Sequence, residues 1–451
     1  MQSIKTYLFG LIIFISFFGC EDYLDTVPQG QVIPESVNEL GLLLSDEKTM
    51  SKGFQNPLYM TDEVYLPDNV YNTRVSRPIG RNGYKWIKPI YFDNERDQDW
   101  RWLYSQIWTS NYILERIDDA PLEGLSESDR DNVKGQALGA RASAYFDLVN
   151  VYGKHYDATT AASDLAVPII LSTSLDQSNT ISTVEEVYTI IDQDLTQALS
   201  LINIDWTEFS YKHSKASIYG LRARMSLLME NWSDAKDYAE LVLEIKNDFW
   251  DYNDYKDDFD PVSSPVTFLR ASHSVNNLEA VFTRSNYWFY THPGIWTTYF
   301  SSDLYDLFSD DDLRIQFFAT YDTQYDSYYY NLFWYCEMGI TVPEMHLIIA
   351  EAEARMQNTT EAMLALNKVI EKRIDNETYI PETAANATEA LAKVLIERQK
   401  ELMFTGLRWI DQRRLIKTGD FTSTVTRVLN GETLTLQPTP ENYILNTPTD
   451  L

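Results

Sequence analysis

At 451 residues, with 44% hydrophobic and 23% charged side chains, the chain has the composition of a globular protein. A single core stops growing near about 250–300 residues, so two domains or one composite helical domain are expected. A formal net charge of −30, from 67 acidic against 37 basic residues spread along the chain, excludes nucleic acid as a partner and reads as a well-solvated, self-repelling surface.

The N-terminus carries the first signal. Lys5 precedes an apolar run from Leu8 to Phe18 that ends at Gly19-Cys20. The run has the length of a signal-peptide h-region and is too short to span a membrane comfortably, which takes about 20 apolar residues. Gly19-Cys20 resembles a lipobox, so residues 1–19 are expected to be a lipoprotein signal peptide and Cys20 the lipidated start of a mature domain over 20–451. The lipid would then be the only attachment to a membrane. Lipidation of Cys20 leaves Cys336 without a disulfide partner. In the aromatic run that begins at Phe333, Cys336 reads as a small core residue.

Helical periodicity dominates the rest of the chain. Val133, Ala137, Ala140, Ala144, Leu148 and Val151 share one helix face, and Gly153 is placed to stop it. Ser182 with Glu185 reads as a capping box opening a helix whose face carries Val184, Val187, Ile191, Leu195, Ala198 and Ile202. Ile218, Leu221, Met225 and Leu228 predict a third helix, and Ala235, Tyr238, Val242 and Ile245 a fourth. Val342, Met345, Ile349, Ala352 and Met356 predict another, followed by Ala362, Leu366 and Val369. The last long helix carries Leu391, Leu395, Arg398 and Leu402. Trp100, Trp102, Trp108, Trp232 and Trp409 fall on helices and are assigned to packing.

An internal repeat is visible among these helices. Aligning Asn231 with Asn358 brings Ala223 onto Ala350, Met229 onto Met356, Ala235 onto Ala362 and Val242 onto Val369. Each copy reads as a helix, a turn at Asn and a helix that opens near Ala, like a tetratricopeptide unit. Residues 54–100 and 247–340 are aromatic, turn-rich and irregular, the kind of segment that usually carries function.

Four blocks resemble the SusD/RagB family of outer-membrane nutrient-binding lipoproteins. They are Cys20–Pro28 (CEDYLDTVP), Ala140–Gly153 (ARASAYFDLVNVYG), Val342–Met356 (VPEMHLIIAEAEARM) and Glu397–Arg414 (ERQKELMFTGLRWIDQRR). Asp312 and Arg314 fit the family's Asp-x-Arg. The resemblance covers nearly the whole chain in order. It implies a mainly α, SusD-like fold with tetratricopeptide-like helix pairs as scaffold and irregular segments as ligand face. It also implies a place on the outer membrane, facing the exterior, and a TonB-dependent transporter as partner.

No catalytic motif stands out. The histidines His155, His213, His273, His292 and His346 are scattered, and there is no His-Glu-x-x-His, nucleophile elbow, P-loop or dinucleotide fingerprint. The acidic run Asp251–Asp260 lacks the glycine and bidentate glutamate of an EF-hand loop and reads as a solvated loop. Neither a metal nor a cofactor is expected. Aromatic side chains carry the binding expectation instead, because sugar rings pack their C–H faces on flat rings. Tyr71, Tyr84 and Trp86 are candidates in the first irregular segment; Tyr287, Trp288, Tyr290 and Trp296 in the second are denser. Arg77 and Arg81 are candidates to pair with uronate or peptide carboxylates. The leading expectation is a glycan-binding subunit of an uptake complex. A peptide-binding version is the alternative, and a surface glycoside hydrolase is the remote one.

Overall fold

The computed structural model describes residues 33–448, apart from positions 76, 93–95, 175, 177–179, 209–210, 258–276, 287–297 and 331–335. The fold is mainly helical. Its longer helices are α1 (Gln98–Leu114), α2 (Glu127–Tyr152), α3 (Val184–Leu201), α4 (Lys215–Leu228), α5 (Trp232–Ile245), α6 (Val342–Arg355), α7 (Thr359–Ile370), α8 (Ala387–Glu401) and α9 (Leu407–Thr418). Among the described residues, no helix is long and apolar enough to cross a membrane.

Helix α2 buries Ala137, Ala140, Ala144, Leu148 and Val151, the face that its spacing predicts, and Gly153 is its C-cap. The cap of α3 differs from the expected one by one residue. Thr183, extended at φ −78° and ψ 162°, caps the helix through its side chain, and Glu186 reaches back to the Thr183 amide. Ser182 lies instead within the short strand Ile181–Thr183. The helix therefore starts with Val184 at its first position, fully buried, and α3 packs along α2.

The two copies of the repeat share one backbone turn. Asn231 (φ −84°, ψ 73°) and Asn358 (φ −92°, ψ 70°) stand at the heads of α5 and α7. Each follows a residue held at positive φ, Glu230 at 62° and Gln357 at 70°. Asn231 N–H donates to the Ser226 carbonyl and Asn358 N–H to that of Glu353, both at 2.9 Å. The aligned residues Ala223, Ala350, Ala235, Ala362, Val242 and Val369 are all fully buried. Although far apart in sequence, the two pairs meet in space, with α5 packed on α6. Small side chains at the crossings let the helices approach closely.

The inner face of α8 is only in part the one expected, with Arg398 and Leu402 buried. Ala390, Val394, Glu397 and Glu401 are buried, while Leu391 and Leu395 are half-exposed. The buried carboxylates answer buried cations. Arg314 meets Glu397 at 2.6 Å and Glu401 at 2.9 Å, and Arg373 bridges Glu401 (3.0 Å) and Glu279 (2.7 Å). Nearby, Asp411 of α9 receives Arg398 (2.9 Å) and Arg414 (2.7 Å), and Glu351 of α6 receives Arg414 at 2.5 Å. The blocks 342–356 and 397–414 thus fold into one ionic lattice that ties α6, α8 and α9 together. Burial disfavours these charges, and only full pairing makes the arrangement tolerable.

The irregular segments are less of a surface than their composition suggests. Residues 50–61 and 63–67 are almost wholly buried, and the first segment contains short helices at Asp68–Arg74 and Pro78–Tyr84. Strands β1 (Val64–Tyr65), β2 (Thr298–Phe300), β3 (Ala319–Asp322) and β4 (Ser327–Tyr330) form an antiparallel sheet in the order β1-β2-β4-β3. Val64 pairs with Phe300, Thr298 with Tyr330 and Tyr321 with Tyr328. A second core of Val64, Tyr84, Tyr252, Phe300, Phe318 and Phe404 lies against this sheet, separate from the main one among α1 to α5. A hairpin of β5 (Val425–Leu429) and β6 (Glu432–Leu436) turns at Asn430 (φ 52°) and Gly431 (φ 79°), a type I′ pattern that Asn-Gly favours. Its tip holds the helix Asp68–Arg74, with Asn430 N–H donating to Asp68 Oδ1 at 2.8 Å and Asn72 Nδ2 to Asn430 Oδ1 at 2.7 Å.

Candidate functional site

A groove of about 850 Å³ opens where β1, the end of β2, the turn into β4 and the β5 edge converge. Tyrosines dominate its apolar lining. Tyr305 and Tyr328 stack at 4.3 Å between centroids and 13° between planes. Tyr321, about half exposed, leans on Tyr328 at 5.1 Å. Tyr65 and Tyr325 contribute further faces, each edge-on to Tyr299, at 6.4 Å and 5.8 Å.

Local structure explains why these rings gather. Along β4, Tyr330 enters the second core against Phe404, at 4.7 Å, while Tyr328, two residues earlier on the same strand face, emerges at the groove. Ser301 caps the short helix Ser302–Tyr305 and also donates to the Asp62 carbonyl at 2.6 Å, which fixes Tyr305 beside Tyr328. The Tyr325 hydroxyl receives Asn69 Nδ2 at 2.9 Å and Gln324 Nε2 at 3.0 Å. Burial, reinforced by the Tyr328 hydroxyl, raises the Tyr305 phenol above its ordinary value, so it stays a neutral donor at physiological pH.

The charged lining is mostly acidic. Asp68, Asp303, Asp306 and Asp326 are exposed along it, with Asn69, Ser301 and Ser302 among them. Asp62 is gripped from behind by Arg408, at 2.9 and 2.7 Å. Its neighbour Glu63 is fully buried and accepts from Phe404 N–H at 3.2 Å. Burial, and then the Asp62 charge, push the Glu63 carboxyl well above the usual carboxylate range.

The cation among the described wall residues is Arg427, 6% exposed. Its guanidinium donates to the carbonyls of Tyr59 (2.9 Å), Tyr84 (2.6 Å) and Thr61. It is also flanked by the rings of Tyr84 and Trp86, at 4.2 and 4.4 Å. The candidate residues of the first segment lie around this arrangement. Tyr84 is fully buried, and its hydroxyl accepts from Leu66 N–H at 2.9 Å; Tyr71 is 3% exposed and donates to the Arg81 carbonyl. Trp86 is half-buried with its indole N–H on the Met60 carbonyl at 2.8 Å. Arg81 lies over the Tyr71 ring at 4.8 Å and donates to the Val75 carbonyl, and Arg77 is the N-cap of the helix Pro78–Tyr84. None of these five lines the groove; Tyr84 and Trp86 build its back wall by holding Arg427.

Cys20, Tyr287, Trp288, Tyr290 and Trp296 lie outside the described residues. Trp100 and Trp409 are buried as assigned, whereas Trp108 is 51% exposed and stacks on Tyr112 at 5.5 Å. The described residues that line the groove do not include the aromatic candidates of the first segment. Asn430-Gly431 and the run Tyr321–Tyr330, with Asp-Thr-Gln between Tyr321 and Tyr325, are the hairpin signals that point to the groove.

Two family models match the chain. One, described as "Starch-binding associating with outer membrane", covers residues 22–227, and the other, described as "SusD family", covers residues 342–444. The chain belongs to the SusD family. The ionic lattice therefore lies mainly in the second SusD match, and the groove draws on residues of both matches and of the stretch between them. Solved structures share the SusD fold over almost the whole length. A SusD-like carbohydrate binding protein from Bacteroides vulgatus has 20% identity and a TM-score of 0.68, covering 92% of this chain and 95% of its own. A SusD superfamily protein from Bacteroides thetaiotaomicron has 18% identity and a TM-score of 0.69, covering 91% and 96%. A laminarin binding SusD-like protein has 16% identity and a TM-score of 0.63, covering 86% and 91%. No curated protein is matched by the sequence.

Proposed function

We propose that this SusD-family protein is a lipid-anchored surface subunit that captures a glycan in the tyrosine groove and delivers it to a TonB-dependent outer-membrane transporter. The observation that carries the reading is the stacked pair Tyr305 and Tyr328 at the mouth of a groove lined by hydroxyl, amide and carboxylate groups. Ring faces take the C–H surface of a sugar, and the surrounding acceptors take its hydroxyls. The family description and the laminarin-binding structural relative support a carbohydrate ligand. Binding rather than catalysis is the role assigned. The peptide alternative would rest on Arg77 and Arg81, which are not among the described residues lining the groove.

Affinity electrophoresis against starch, laminarin, galactomannan and a casein-peptide gel tests the ligand class. Retardation by at least one polysaccharide is expected; retardation by peptide alone would overturn the reading. Anchoring rests on Gly19-Cys20, so Cys20→Ala is expected to shift the protein from membrane to soluble fractions, and retention of that variant would count against a lipid anchor. For the transporter, a tagged copy purified in mild detergent is expected to bring down a large β-barrel protein. Recovery of the tagged chain alone would remove the delivery role.

A further inference from the structure

We propose that the groove selects glycans without anionic groups and turns away uronate- and sulfate-bearing chains; this rests on the groove being the glycan site. Asp68, Asp303, Asp306 and Asp326 line it, all exposed, and none pairs with a Lys or Arg among the described residues. The other lining carboxylate, Asp62, already has its partner in Arg408 behind the wall.

An anionic sugar needs a cation with free donors in a fork, and the described lining does not present one. Arg427 is the cation among those residues. That guanidinium is buried, flanked by the Tyr84 and Trp86 rings and committed to three main-chain carbonyls, so it cannot turn a fork outward. Several like charges around a concave wall focus their field into it, and the field reaches about 8–10 Å at moderate salt. A neutral chain meets these carboxylates as hydrogen-bond acceptors. A chain of carboxylates or sulfates meets them as repulsion at each sugar.

The test uses matched probes on the mature protein in buffer with EDTA, so that no divalent ion bridges the charges. Laminarin, amylopectin and galactomannan are each titrated calorimetrically beside the same polymer oxidised at C6 to the uronate. For whichever neutral polymer binds, the oxidised partner is expected to bind at least about tenfold more weakly at about 20 mM salt, with the gap closing towards about 0.5 M. The triple change Asp303→Asn, Asp306→Asn, Asp326→Asn is expected to narrow the low-salt gap by strengthening the oxidised probe. Equal or tighter binding of an oxidised polymer, lost on Tyr328→Ala, would overturn charge selection while leaving the groove as the glycan site. If no neutral or oxidised polymer binds, the glycan reading itself falls and this selection with it.

Discussion

Arg314 grips Asp312 through two hydrogen bonds, Nε to Oδ1 at 2.9 Å and Nη2 to Oδ2 at 2.7 Å, with both side chains fully buried. The same guanidinium serves Glu397 and Glu401. Arg314→Met removes the cation shared by three buried carboxylates and leaves Asp312 and Glu397 to Lys400 and Glu401 to Arg373; breaking a buried pair in this way costs about 3–5 kcal/mol. Urea unfolding of the variant is expected to show a loss of that size. A loss below about 1 kcal/mol would mean that the lattice does not hold α8 to the rest of the scaffold.

Stability has opposite pH limbs with different owners. Against burial, which alone would raise them, Asp411 and Asp312 are held at about 2, chiefly by Arg398 and Arg314 respectively. Their contribution is therefore present above the ordinary aspartate value of 3.8 and is lost as pH falls towards about 2. Glu63 is raised instead, so the folded chain binds a proton that the unfolded chain gives up, and stability declines as pH climbs through the range between its unfolded and folded values. Glu63→Gln is expected to flatten the limb that falls as pH rises above the ordinary glutamate value and to leave the acid limb in place. Urea midpoints measured from acid to alkaline pH check this; an unchanged falling slope would assign that limb to other buried acids such as Asp97 and Asp99.

Gln357 holds the repeat's turn at a φ of 70°, where a side chain is unfavourable. Gln357→Gly is expected to stabilise the protein by roughly 0.5–1 kcal/mol, and Gln357→Val to destabilise it. Thermal unfolding distinguishes these outcomes from a relaxed turn, in which both changes would act alike.

The parts of the fold that are legible in the sequence are those where burial follows local period. Val242 and Val369 can be aligned because each sits at the same step of an amphipathic helix after the same Asn turn. The inner face of α8 is legible only in part, since Glu397 and Glu401 look like solvent-facing residues until Arg314 and Arg373 arrive from distant segments. Tyr84 and Trp86 read as ligand contacts because aromatic, turn-rich sequence resembles surface; it is Arg427, more than 300 positions later, that draws them inward. The groove is hidden for the same reason, as Tyr65, Tyr305 and Tyr328 come together only through non-local strand pairing.

Glycan capture by the tyrosine pair is tested most directly by titrating laminarin, amylopectin and galactomannan into the wild type and into Tyr305→Ala/Tyr328→Ala. Each ring contact contributes about 0.5–1.5 kcal/mol beyond area burial, so loss of both is expected to weaken binding about tenfold or more. The variant's far-ultraviolet circular dichroism should match the wild type, because both rings are only half-buried at the groove mouth. Unchanged glycan affinity in that folded double variant would contradict the assignment of this groove as the binding site.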